Sequence, residues 1–210
     1  MLNFLICLLI TVMIHEYGHM WMALRCGMGV KAFSLGFGKP YLHKTVKGID
    51  YRLSPLPLGG YCDIQGMDSK ESPKDFGSHP YWQRFLVLIA GVAVNLAMAC
   101  ICYLINYGSI KLGMAIDIEL IKAIFTKDYS MVDIIFRQIQ PNFFLIQLSL
   151  LNFFTGLSNL IPIFPLDGGW IWYTLIEEKL SKGIKNFLNI SGWVSLVGIQ
   201  LYLVYYIYFI

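Results

Sequence analysis

Charge is scarce in this chain. Only 14% of its 210 residues are Asp, Glu, Lys or Arg, against about 25% in a soluble domain. With 57% hydrophobic residues and a mean hydropathy of +0.60, the composition is that of an integral membrane protein. No basic cluster is present, and a net charge of +3 is too small to suggest a nucleic-acid partner. No Cys-x-x-Cys occurs among the five cysteines, so neither a disulfide framework nor a thiolate zinc site is indicated. No basic segment precedes the apolar run that starts at Met1, so that run is not read as a cleaved signal peptide. Internal repeats and low-complexity tracts are missing too. Aromatics are abundant at 15%, with Tyr and Trp near segment ends, as interfacial belts require.

The apolar runs predict an all-α polytopic membrane protein in a single domain over residues 1–210, with about four transmembrane helices and a small membrane-associated β-hairpin insert. The spans are expected at residues 2–24, 82–107, 143–176 (broken near 162–165) and 188–210, each able to supply about 20 apolar residues. The loop from Arg25 to Tyr81 holds eight basic residues: Arg25, Lys31, Lys39, Lys44, Lys47, Arg52, Lys70 and Lys74. The positive-inside rule places that loop, and the lysine-bearing link after Ile176, in the cytoplasm, with both termini outside. Within the loop, Phe33, Leu35 and Phe37 alternate with small residues, and Ile49, Tyr51 and Leu53 alternate with polar ones. A turn at Gly48 then predicts a hairpin or three-stranded meander within residues 30–61, closed by breakers from Pro55 to Tyr61. Ala115 to Phe125 and Met131 to Gln140 read as short amphipathic helices on the outer face.

Glu16 is the only charged side chain between Met1 and Leu24. A carboxylate inside a bilayer is costly and marks function. It stands in His15-Glu16-Tyr17-Gly18-His19, an H-E-x-x-H string. On a helix, positions four apart share a face, so both imidazoles can reach one metal ion while the glutamate serves as a base. A catalytic zinc takes three protein ligands. Asp167, where Pro162 and Pro165 break the third span, is the strongest third candidate; a helix N-cap role preceding Gly168 is the alternative. Depth supports the pairing. His19 and His15 lie about 8 and 14 Å before the first span's cytoplasmic exit, and Asp167 about 14 Å before the third span's, at 1.5 Å per residue. Asn159 and Asn95 could bind substrate or could bridge helices through their amides. His43 and His79 read as surface histidines.

On these residues the chain resembles the site-2 proteases, intramembrane zinc metalloproteases. The resemblance rests on His15-Glu16-x-x-His19, Gly36-Phe-Gly38, Pro57-Leu-Gly-Gly-Tyr61, Gly91-x-x-x-Asn95, and Asn159-x-x-Pro162 leading to Leu166-Asp-Gly168. It covers most of residues 1–107 and 143–180. It implies zinc (Zn2+) held by His15, His19 and Asp167, catalysis by Glu16, and substrate contacts at Asn159, Pro162, Gly59, Gly60 and Asn95. The closest subgroup consists of bacterial enzymes that cleave anti-sigma factors and remnant signal peptides. Their PDZ domains sit between the second and third catalytic spans; here that loop, Gly108 to Asn142, is too short for one. The implied partner is a single-span membrane protein in a bacterial cytoplasmic membrane, cleaved near the cytoplasmic side. The oligomeric state is not legible.

Overall fold

The computed structural model describes residues 2–67, 69–139, 141–177, 180, 183–184, 186–188, 190–192, 194–195 and 198. The elements run α1 (Leu2–Arg25), β1 (Val30–Phe37), β2 (Leu42–Val46), β3 (Ile49–Leu53), β4 (Leu56–Ile64), α2 (Tyr81–Tyr107), α3 (Ile110–Thr126), α4 (Ser130–Ile139), α5 (Phe143–Ser158) and α6 (Asp167–Ile176). Among the described residues, α1 and α2 are long and apolar enough to cross a membrane, and α5 is a shorter apolar helix. The third expected span is therefore two helices, α5 and α6, separated where its prolines stand. Most of the fourth lies outside the described residues.

Local chemistry explains the helix ends. Pro80 stands at the N-cap of α2, where a missing N–H costs nothing, and Gly108 ends that helix in the left-handed region at φ 66°. Ser109 caps α3 by accepting from the Leu112 N–H, and Asn142 caps α5 by accepting from Phe144 and Leu145. Arg25, in the last turn of α1, complements the helix dipole. Helix α1 packs on α2 and α5. Its crossing with α2 is close because Gly18 lacks a Cβ, which would sit 2.7 Å from the Ala90 carbonyl oxygen and from Val94 Cγ2.

The expected β-hairpin or meander is instead a four-stranded mixed sheet in the order β2-β3-β1-β4. Only β2 and β3 form a hairpin, turned by Lys47 and Gly48 at φ 52° and 83°, the signature of a tight two-residue turn. Strand β1 pairs with β3 in parallel and with β4 antiparallel. The stretch taken for breakers is most of β4. Pro57 is tolerated because β4 is an edge strand. Gly60 serves close approach: a Cβ there would lie 2.6 Å from the Ser34 carbonyl oxygen and 2.9 Å from Val12 Cγ1 of α1. Strand β4 is thus held against the helix that carries the H-E-x-x-H string. Phe33, Ile49 and Ile64 of the sheet join Met20, Val87 and Phe76 in one buried cluster.

Candidate active site

Helix α1 presents His15 and His19 one turn apart, both buried, with their rings edge to face at 4.7 Å. The two Nε2 atoms are 3.2 Å apart. Asp167 Oδ2 lies 3.2 Å from each of them. Three donors at the corners of a triangle with equal 3.2 Å edges converge on one point. Ligand atoms about 2.0–2.1 Å from a tetrahedral zinc stand roughly 3.3 Å from one another, so the triangle fits that ion. The donor set, two imidazoles and a carboxylate, is also one that zinc takes in catalytic sites.

Surrounding groups aim these ligands. His19 Nδ1 is 2.8 Å from the Val87 carbonyl oxygen, to which it donates in the tautomer that leaves Nε2 free as a ligand. Gly91, one turn along α2, makes room for both rings. A Cβ at that position would lie 2.3 Å from His19 Nε2 and 2.9 Å from His15 Cε1. Asp167 is the first residue of α6, whose N-cap is Leu166, so its carboxylate is spent on the histidines and not on capping. The segment before it folds tightly on the helix start. The Gly168 N–H donates to the Asn159 carbonyl at 2.6 Å, and a Cβ on Gly168 would lie 2.4 Å from the Leu160 carbonyl oxygen. At its far end, α6 is tied to the start of α2 by the partly buried pair Arg84 and Glu177, 2.6 Å apart.

His15, Glu16, His19 and Asp167 line one cavity of about 410 Å³. Its opposite wall is β4, from Gly60 to Ile64, and Asn159 and Trp170 close it further. The Cys62 backbone N–H faces the Glu16 carboxylate. Asn159 holds its amide on the Thr155 carbonyl at 3.0 Å. Gly59 sits against the Phe37 ring beside this wall. Two expected substrate residues lie elsewhere. Asn95 is fully buried between helices and does not line the cavity. Pro162 lines a separate cavity with Trp172 and Tyr173, while Pro165 faces the site. Sequence inspection passed over Val87, Cys62 and Trp170. Only Val87 left a trace, as the position one helical turn before the Gly91 of a quoted motif.

The model of peptidase family M50 matches residues 3–204. The chain belongs to peptidase family M50. This is the family of the site-2 proteases that its motifs resemble. The chain is 40% identical over 111 residues to a putative zinc metalloprotease of Chlamydia pneumoniae, an alignment covering 47% of this chain and 18% of that protein. It is 41% identical over 111 residues to zinc metalloprotease Rip1 of Mycobacterium tuberculosis, covering 50% of this chain and 26% of the relative. It is 35% identical over 111 residues to a regulator of sigma E protease of Haemophilus influenzae, covering 50% and 25%. The aligned region is thus at most about a quarter of the length of these M50 relatives.

Proposed function

We propose that this M50 chain is an intramembrane zinc endopeptidase that cleaves the membrane segment of single-span proteins. The observation that carries the proposal is the 3.2 Å triangle of His15, His19 and Asp167 with Glu16 in the same cavity. Bound by those three residues, zinc supplies Lewis acidity, making water a nucleophile near neutral pH and drawing charge from the scissile carbonyl. Glu16 is the base. Its carboxylate takes a proton from the attacking water and delivers it to the departing amide nitrogen, so the C–N bond breaks and the proton ends on the amine. The Cys62 backbone N–H faces that carboxylate. The positive-inside rule puts the sheet on the cytoplasmic side, and with it the site. The name of the Haemophilus relative favours an anti-sigma-factor type of substrate over remnant signal peptides.

A transmembrane helix hides its peptide bonds, so the substrate must unwind and be held extended. Strand β3 lies between β2 and β1 and offers no free edge for it. The edge beside the metal ligands is β4. Adding a substrate strand there, with Asn159 across the cavity, aligns the chain for attack. The edge has a direct test. With the other four cysteines replaced by serine, Cys62 should form a disulfide with a single-cysteine substrate. A cysteine moved to His43, on the β2 edge, should not. Cross-linking at His43 alone would reverse the assignment.

Glu16→Gln tests the chemistry. The amide keeps the shape and cannot accept a proton, so metal content should persist and cleavage of a fluorescent single-span substrate should disappear. Turnover within about tenfold of wild type, a barrier change of only 1.4 kcal/mol, would remove Glu16 from the role. Cleavage that survives a zinc chelator would remove the metal.

A further inference from the structure

Helix α1 carries a second groove that the protease chemistry does not use. Two cavities run along it between helix and sheet, sharing Tyr17, Met20 and Tyr51. The first, about 330 Å³, has only Met13, Ile14 and Phe33 besides these, so its walls are apolar and aromatic. The second, about 710 Å³, continues past Trp21 and Leu24 to a mouth formed by Lys47 of the β2–β3 turn, Lys74 and Gln65. Among the described residues, no acidic side chain lines either cavity. Asp75, next to Lys74, is buried and occupied by the Gln65 amide and by the Glu71 and Ser72 N–H groups. The Arg25 guanidinium lies 4.8 Å over the Trp21 ring and brings a third cation to the rim. Along the helix, Met13, Tyr17, Trp21 and Leu24 are each 40 to 52% exposed, so among the described residues no element covers this stripe. None of the residues lining the metal cavity lines this groove.

We propose that the groove between α1 and the sheet binds one anionic phospholipid, its headgroup at Lys47 and Lys74 and an acyl chain along Tyr17, Met20 and Ile14. The proposal rests on the membrane placement of α1. Polarity and charge choose the occupant. An apolar channel that ends in two lysines matches an acyl chain joined to a phosphate, and basic residues at a membrane surface attract anionic lipid. A polar metabolite would leave the apolar end unused, and an apolar helix would leave the lysines buried without partners. A lipid seated there would brace the sheet, and so β4, against the helix that carries the metal ligands.

The test uses the full chain in uncharged detergent, titrated with phosphatidylglycerol or phosphatidylcholine bearing a photoactivatable acyl chain. Phosphatidylglycerol should bind in preference and label peptides containing Met13 to Leu24. Lys47→Gln with Lys74→Gln should weaken phosphatidylglycerol by about fivefold for each lysine removed and leave phosphatidylcholine unchanged. Lys39→Gln with Lys44→Gln removes the same charge outside the groove and should change neither lipid. Lys47→Gln alone provides a second variant with a smaller loss. Equal binding of the two lipids would overturn the proposal. So would equal losses in both double variants, label confined to other segments, or cross-links joining two copies of the chain through α1. Cleavage is not a readout here, so failure of the protease reading and failure of the lipid site are separable.

Discussion

Two aspartates, Asp117 and Asp167, stand in opposite situations. Asp167 meets two imidazole nitrogens at 3.2 Å, and every element around it serves that meeting: α1 supplies the histidines, α2 the Gly91 gap and the Val87 carbonyl, α6 the carboxylate. Asp117, on α3, is fully buried with one donor, the Tyr103 hydroxyl at 2.6 Å. Its Oδ1 has no hydrogen-bond partner among the described residues, and Ser149 beside it gives its own proton to the Ile146 carbonyl. Burial therefore pushes the Asp117 carboxyl up to about 6, against the pull of the Tyr103 hydroxyl. The contrast separates a convergent site from a dispersed one. Polar atoms aimed at one point leave a place for a shared ion, whereas a lone donor in an apolar wall favours the neutral acid.

The sharpest break of that contrast is a pair of alanine variants. Asp167→Ala should lose zinc and slow cleavage at least a thousandfold, about 4 kcal/mol of barrier, while Asp117→Ala should retain both. Metal analysis beside a cleavage assay decides it, and zinc held normally by Asp167→Ala would place the third ligand elsewhere. Next comes the support of the convergent site. Arg84→Gln leaves the partly buried Glu177 at the end of α6 with Lys70, 3.9 Å away, as its remaining ion-pair partner among the described residues, and should cost about 2 kcal/mol of stability. Reversing the pair, Arg84→Glu with Glu177→Arg, should recover part of the melting temperature and of the zinc affinity. An unchanged melting curve for Arg84→Gln would show that α6 is held by packing alone.

The smallest effect belongs to the dispersed site and depends on pH. The folded protein holds the Asp117 proton more tightly than the unfolded chain, whose aspartate titrates near its ordinary 3.8. The associated stability is present in full below about pH 4 and is lost as pH rises through about 6. Asp117→Asn should flatten this part of the melting profile between pH 4 and 7 without touching zinc content. A profile as steep as wild type would assign the pH dependence to other groups.

Legibility followed range. The H-E-x-x-H string declared its own helix face, since four residues on one helix fix their relation through the 3.6 period alone. Asp167 was legible less directly, through prolines that break an apolar run and through matching distances to the expected ends of two runs. The sheet was misread at Gly59 and Gly60. A glycine reads locally as a breaker, and only the neighbour it admits, the Phe37 ring at Gly59 and α1 at Gly60, reveals close approach. Asn95 and Pro162 carried motif positions into the wrong surroundings, because a motif gives an order along the chain and not a wall of a cavity.

By itself the sequence determined the apolar composition, two of the apolar helices, the two histidines with their glutamate, and the aspartate that meets them. Each is written in composition, in periodicity, or in the cost of a polar group in lipid. Tertiary structure alone decided the strand order, the placing of edge strand β4 beside the cavity, the Arg84–Glu177 tie and the second groove on α1. These depend on which distant segments meet. Such meetings are set by packing between surfaces that no local pattern describes.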